Sequence, residues 1–242
     1  VSALVGRART LVARVSGGLA HWARQLEIAP HQLRVTGTAG SGKTQLALAE
    51  FRAAVDAGRR PLYVCFNRPL ADHVEAIAPP GGMACTFHTL CEAVLRAHGQ
   101  THDFTQPGAF DALVTRAEQL PVPESLLFDT VIIDEGQDWS ERWRDRVFCH
   151  ARADARRLWL EDPLQNLYGR PAVALPGWVG LRSQANYRSP RPIVRFLQGL
   201  VGEEAGIEAA SPIDASDVEF LTYADKTRSE ERRVGKECRS RW

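Results

Sequence analysis

The sequence predicts an α/β fold in which a parallel sheet is flanked by helices. Three observations carry that expectation. Short apolar, strand-like runs alternate with helical stretches along most of the chain. A glycine-rich loop joins the first of these strands to a helix. A later run, Thr130-Val131-Ile132-Ile133, has no polar face, as a central parallel strand should not.

Taken in order, residues 3–28 place Leu4, Val5, Leu11, Val12, Val15, Leu19, Trp22 and Leu26 at roughly helical intervals. Gly17-Gly18 divides the stretch into two helices, an N-terminal helical segment over 1–30. Leu33–Thr36 reads as a strand and Gln45–Phe51 as a helix. Leu62–Phe66 is a buried strand, and the helix from Arg68 to Ile77 is stopped by Pro79-Pro80-Gly81-Gly82. Met83–Phe87 is a third strand, followed by a helix from about Thr89 to His98. Residues 92–128 form a short insertion with a helix near Ala109–Leu120. A helix over about Glu141–Ala153 precedes a strand at Arg157–Leu160.

The loop Pro171–Gly180 is expected to end a first domain spanning 31–178. A strand near Val179–Ser183, a helix near Pro192–Val201 and a strand near Val218–Leu221 then belong to the incomplete start of a second domain over 179–225. That stretch is too short to close a core of its own. From Lys226 the composition turns abruptly basic and loses apolar periodicity. Residues 226–242 resemble vector or adapter read-through and are expected to be a non-native tail.

Charge sharpens the picture. The chain of 242 residues carries a net +1, but residues 226–242 contribute +4 and leave −3 on the rest. No global basic field exists, so contact with nucleic acid must come from a local patch. Five cysteines in no metal-ligand or disulfide pattern fit a reducing, cytoplasmic setting. Arg7, Arg9 and Arg14 interrupt the apolar N-terminal stretch, so neither a signal peptide nor a membrane span is expected. A chain that begins with Val rather than Met suggests a truncated start.

The chemistry concentrates in two places. Gly37-Thr38-Ala39-Gly40-Ser41-Gly42-Lys43-Thr44 fits the pattern G-x-x-x-x-G-K-[ST] between a strand and a helix. Glycines let backbone N–H groups fold round a phosphate, the helix N-terminus adds partial positive charge, and Lys43 reaches the β/γ-phosphates. The Thr44 hydroxyl is suited to Mg²⁺. The apolar strand at Val131 runs straight into Asp134-Glu135-Gly136-Gln137-Asp138. Strand ends of this kind meet ligands in open α/β sheets. Phosphoryl transfer to water needs one carboxylate for Mg²⁺ and another group to orient the water, so Asp134 and Glu135 are assigned those tasks.

Together these residues resemble the superfamily 1 DNA helicases of the UvrD/Rep type. Gly37–Thr44 is similar to the family's first motif and Asp134–Asp138 to its D-E-x-Q-D second motif. Phe66-Asn67-Arg68-Pro69-Leu70-Ala71 and Thr86-Phe87-His88-Thr89-Leu90-Cys91 are similar to its strand-contacting segments. Glu161–Tyr168 resembles the third motif and Asn186-Tyr187-Arg188-Ser189 the fourth.

The resemblance implies a RecA-like P-loop NTPase domain plus the start of a second RecA-like domain. It implies ATP and Mg²⁺ as ligands and single-stranded DNA as partner, with RNA left open, and a possible attached nuclease or repair partner. Lys43, Glu135, Gln165 and Arg188 would serve catalysis, Gln165 by sensing the γ-phosphate and Arg188 by reaching it from the second domain. Tyr187 would stack on adenine. Phe66, Asn67, Thr86, Phe87, His88 and Tyr168 would line the strand track, where aromatic faces stack on any base.

The chain departs from the family in four ways, one of them being that the insertion over about 92–128 is too short for the large accessory subdomain of full helicases. Arg170 stands where the third motif usually carries an aromatic, Glu161-Asp162 replaces its usual Gly-Asp pair, and nothing after Arg188 looks like the fifth and sixth motifs. The expected activity is therefore an ATP-dependent single-stranded DNA translocase or helicase, present as a fragment. The alternative is a nucleotide-gated DNA- or partner-binding module that unwinds nothing.

Overall fold

A computed structural model describes residues 12–14, 19, 23, 26, 28–166, 169–202 and 206–211. Seven strands form one sheet in which every neighbouring pair is parallel: β1 (Val12–Arg14), β2 (Gln32–Gly37), β3 (Pro61–Cys65), β4 (Met83–Thr86), β5 (Phe128–Ile133), β6 (Ala151–Glu161) and β7 (Val179–Ser183). Their order across the sheet is β1-β7-β2-β6-β5-β3-β4. The α/β class with a parallel sheet is as the sequence predicts.

Both faces of the sheet are covered, because strand side chains alternate and each set needs burial. Tyr63 and Cys65, Ile132, and Leu158 and Leu160 point to one face. There they join Leu46, Ala47 and Phe51 of α1 (Lys43–Asp56) and Ala71 and Val74 of α2 (Arg68–Ile77). Leu62 and Val64, Val131 and Ile133, and Trp159 point to the other. They pack with α3 (Phe87–Ala97), α4 (Ala109–Glu118) and α5 (Glu141–Phe148). Most of these side chains are fully buried, each worth about 1.5–3 kcal/mol of hydrophobic stabilisation.

Local chemistry fixes the helix starts. Thr86 caps α3 by accepting from the Thr89 N–H at 3.2 Å, so that helix begins at Phe87 rather than near Thr89. Asn67 caps α2 in the same way, accepting from Leu70 N–H at 3.2 Å, and Pro69 sits in its first turn. Ser140 caps α5, accepting from Trp143 N–H at 3.3 Å.

Several expectations are corrected. The helix expected over Glu141–Ala153 stops at Phe148, because Ala151 already pairs with Phe128 and β6 runs eleven residues instead of four. Residues 12–14, expected to be helical, form β1 beside β7; most of the rest of the 3–28 stretch lies outside the described residues. The strand Val179–Ser183 is not the opening of a second domain. It pairs with β2 from Leu33↔Val179 to Gly37↔Ser183, and Val173, Leu175 and Trp178 before it are buried in the first core. The Pro171–Gly180 loop thus packs onto the first domain rather than linking it to another.

After Ser183 a separate β-α-β unit follows: β8 (Ala185–Asn186), α6 (Arg191–Val201) and β9 (Glu208–Ala209), with β8 and β9 parallel. The strand expected at Val218–Leu221 and the tail 226–242 lie outside the described residues. Among the described residues no helix is long and apolar enough to cross a membrane.

Candidate functional site

The C-terminal ends of β2, β3, β5 and β6 bring the candidate residues together. The Gly37–Thr44 loop leaves β2 and enters α1, whose N-cap Gly42 has φ 92° and supplies no side-chain cap. The first turn of α1 holds no acidic residue. Its N–H groups are left without side-chain acceptors, and with the helix dipole they form a place for an anion. Lys43 is buried and folded back over its own loop. Its Nζ donates to Gly37 O at 2.7 Å and Thr38 O at 3.0 Å, and lies 3.7 Å from Asp162 Oδ2. Thr38 and Ser41 are also buried.

Asp134 directly follows β5 and is fully buried. Its N–H donates to Val64 O at 2.9 Å. Its Oδ1 accepts from the Glu135 N–H at 2.9 Å, and its Oδ2 accepts from the Tyr63 hydroxyl at 2.9 Å. Burial, then the charge of Glu135, pushes its carboxyl up to about 6, against the pull of those hydrogen bonds and of Lys43. Burial, then the Asp134 charge, drives the Tyr63 phenol well above its ordinary range, so its proton stays on the oxygen.

Glu135 is the non-glycine residue with positive φ among the described residues, at φ 54° and ψ 45°. A left-handed conformation costs a residue that carries a Cβ about 1–2 kcal/mol and persists where neighbours hold it. The holder is Gln137. Its Nε2 donates to Glu135 Oε2 at 2.7 Å while its Oε1 accepts from the Asp162 N–H at 2.9 Å. One amide therefore ties the acid after β5 to the turn after β6. In that turn Asp162 also accepts from Gln165 Nε2, so Lys43 and Gln165 share one carboxylate.

Gly136 lies against Trp159: a Cβ there would meet the indole Nε1 at 2.2 Å. The indole N–H donates to Glu161 Oε2 at 2.8 Å, and Glu161 in turn accepts from Arg34 Nε at 2.8 Å. The Glu161 that replaces a glycine in the resemblance is thus a buried, paired anion bridging β2 and β6.

The fourth segment reaches the loop as well. Asn186 Oδ1 accepts from the N–H groups of Arg188 at 3.0 Å and Ser189 at 2.8 Å, folding a tight turn at the end of β8. Tyr187 N–H donates to Gly40 O at 3.0 Å. Arg188 follows directly, on the β-α-β unit and beside the loop.

The residues assigned to a strand track divide. Phe66 and His88 are half-buried and in ring contact, centroids 6.2 Å apart. Phe87 is fully buried among Trp139, Trp143 and His88, so it presents no face to a base and is a core residue. Thr86 is buried and Asn67 exposed, and both are occupied as helix caps. Tyr168 lies outside the described residues. The residue that sequence reading missed is Trp143, which stacks with Phe66 at 5.7 Å and Phe87 at 4.9 Å. Arg170 lies over its ring, 4.8 Å from the centroid, and 5.7 Å from that of Phe66, and donates to Asp138 O. The cation in place of an aromatic is therefore part of the aromatic stack.

Among the described residues no group of three or more His, Cys, Asp or Glu side chains could hold a metal. Thr44 and Asp134 offer one hydroxyl and one carboxylate, hard oxygen donors that would suit Mg²⁺ if phosphate and water supplied the rest. Tyr63, Trp159 and Arg34 also escaped the sequence reading. A tyrosine in a strand buried on both faces was the available signal, since its hydroxyl must find a partner. No protein-family model matches this chain, and no curated protein matches it either.

Proposed function

We propose that this chain is the ATP-binding portion of a single-stranded DNA translocase or helicase, a RecA-like domain followed by the start of a second. The observation that carries the reading is the meeting of four separate segments at the sheet's C-terminal edge. The Gly37–Thr44 loop, Asp134-Glu135, Asp162–Gln165 and Tyr187-Arg188 are linked by hydrogen bonds or an ion pair into one cluster. ATP is the substrate, and Mg²⁺ supplies charge neutralisation of its phosphates.

In this reading Lys43 exchanges its bonds to Gly37 O and Thr38 O for phosphate oxygens, and Asp162 releases Gln165 toward the γ-phosphate. Glu135 orients the attacking water and takes its proton. Arg188 adds positive charge at the same phosphate from the β-α-β unit. Phe66, His88 and the Trp143–Arg170 stack are the surface for the strand, since aromatic rings and guanidinium planes stack on bases of any sequence. RNA stays open as the alternative strand, since the same faces would stack on its bases, and the cytoplasm is the proposed setting because the cysteines form no disulfide pattern.

A second reading is a nucleotide-gated binding module. It is favoured by the burial of Phe87, which leaves the strand surface smaller than the resemblance implies. ATP hydrolysis measured with and without single-stranded DNA tests the first reading, which expects acceleration. An unchanged rate on adding DNA sinks it. A tailed duplex separates the two, because a gated binder holds the strand without displacing its complement.

A further inference from the structure

Tyr63 sits in the middle of β3, a strand buried at every position. Its ring is part of the core that α1 covers, with Leu46 and Ala47. A phenylalanine would fill the same space, so the hydroxyl is surplus to packing. That hydroxyl donates to Asp134 Oδ2 at 2.9 Å, with both residues fully buried.

The register explains how the two meet. Tyr63 lies opposite Ile132 and Val64 opposite Ile133, so Asp134 is the next residue beyond the paired strand ends. Asp134 N–H donates to Val64 O at 2.9 Å, and side chains two residues apart share a face, which puts the carboxylate on the Tyr63 side. Strand β3 therefore grips Asp134 twice, by its backbone and by its carboxylate. The second oxygen is held by Glu135 N–H. Each oxygen has one donor and keeps lone-pair capacity for another contact.

We infer that Tyr63 is a positioning residue, whose hydroxyl fixes the Asp134 carboxylate in the orientation that receives the nucleotide-bound Mg²⁺. The inference rests on the reading of Gly37–Thr44 and Asp134 as a nucleotide site. A hydrogen bond from a neutral hydroxyl to a buried carboxylate holds its direction without cancelling its charge, as an arginine or lysine partner would. Lys43 cannot serve that purpose, since it is engaged with Gly37 O, Thr38 O and Asp162. The carboxylate's two hydrogen bonds come from the Tyr63 hydroxyl and the Glu135 N–H.

The test titrates a fluorescent ATP analogue into the full chain, with Mg²⁺ and with chelator, for wild type and Tyr63→Phe. The expected result is unchanged affinity in chelator and a loss of about tenfold in the gain that Mg²⁺ confers. If Tyr63→Phe keeps the full Mg²⁺ gain, or loses affinity equally in both conditions, the hydroxyl is structural and the inference fails. If the wild type binds no analogue at all, the nucleotide-site reading falls first. Should the variant not fold, the wild type decides. With the four tyrosines labelled at ¹³Cζ and assigned by substituting the other three, the Tyr63 signal shifts when Mg²⁺ is added to the nucleotide-saturated protein. A stationary signal overturns the inference.

Discussion

The backbone N–H of Tyr187 donates to the carbonyl oxygen of Gly40, 3.0 Å away. This contact joins the β-α-β unit to the loop between β2 and α1, and it depends on Gly40 having no side chain. A Cβ there would come within 2.7 Å of both Arg188 Cβ and Asn186 Oδ1, at a φ of +74°. Gly40→Ala is therefore expected to push the Asn186–Ser189 turn away from the loop. Stability should fall by about 1–3 kcal/mol, and affinity for an ATP analogue by about tenfold or more, measured by denaturant unfolding and fluorescence titration.

Glu135 offers two informative substitutions at one position. Glu135→Gln keeps the shape and the backbone bond to Asp134 but removes the base, so turnover should drop by about 10²–10⁴-fold with analogue binding retained. Glu135→Gly should also lose turnover, with stability changed by less than about 1 kcal/mol, because relief of φ 54° is offset by glycine's freedom in the unfolded chain and by the lost bond to Gln137 Nε2. Single-turnover hydrolysis and thermal unfolding measured together check both. A Glu135→Gln protein that hydrolyses ATP normally removes Glu135 from the mechanism.

Trp159 and Gly136 form a coupled pair. Gly136→Ala drives a methyl group into the indole N–H and breaks its bond to Glu161, at an expected cost of about 1–3 kcal/mol. Trp159→Phe removes the atoms that clash. The double variant should recover part of the loss, giving a favourable interaction energy in a double-mutant cycle of urea unfolding. Strict additivity would show that the two residues do not communicate.

Stability should fall in mild acid because of His150. The residue is 1% exposed, its Nδ1 donates to Leu126 O at 2.9 Å, and burial, with Arg146 adding to it, holds it down to about 4. The unfolded chain, with an ordinary histidine near 6.5, takes the proton first as pH drops. The stabilisation is complete above pH 6.5 and is lost on descending from 6.5 toward 4. One such group accounts for about 2 kcal/mol between pH 7.5 and pH 5. His31, also held down to about 4 by burial and by Arg156, acts in the same direction. His150→Asn should flatten the slope by one proton, read from urea midpoints across that range.

The fold was legible wherever one residue pattern answered to one physical demand. The apolar run at Val131–Ile133 reads as a strand buried on both faces, and the Gly37–Thr44 spacing as a loop between strand and helix, and both form. Boundaries set by long-range pairing were not legible. Nothing local in Ala151-Arg152-Ala153 says strand; Phe128, already committed to β5, recruits it. In the same way the prolines and glycines of 171–180 look like a linker, yet Trp178 and Leu175 are held by a core assembled from α3, α4 and α5. At the site, the acids and the lysine were readable because their types are tied to chemistry. Tyr63 and Trp143 were not, because aromatic residues in apolar surroundings look the same whether they only pack or also hold a neighbour in place.

The strand order also sets a schedule for synthesis. Strand β2, which carries the Gly37–Thr44 loop, finds its two partners only in β6 and β7, and the Thr36–Glu161 contact already spans 125 residues. As the chain leaves the ribosome, β3 and β4 can pair with each other early, while β2 waits with Leu33 and Val35 unpaired. Non-local closure of this kind is slow, and an apolar edge left open during that wait invites pairing with another chain. A nascent chain halted before Ala151 would thus hold every residue of the loop and lack both strands that β2 pairs with.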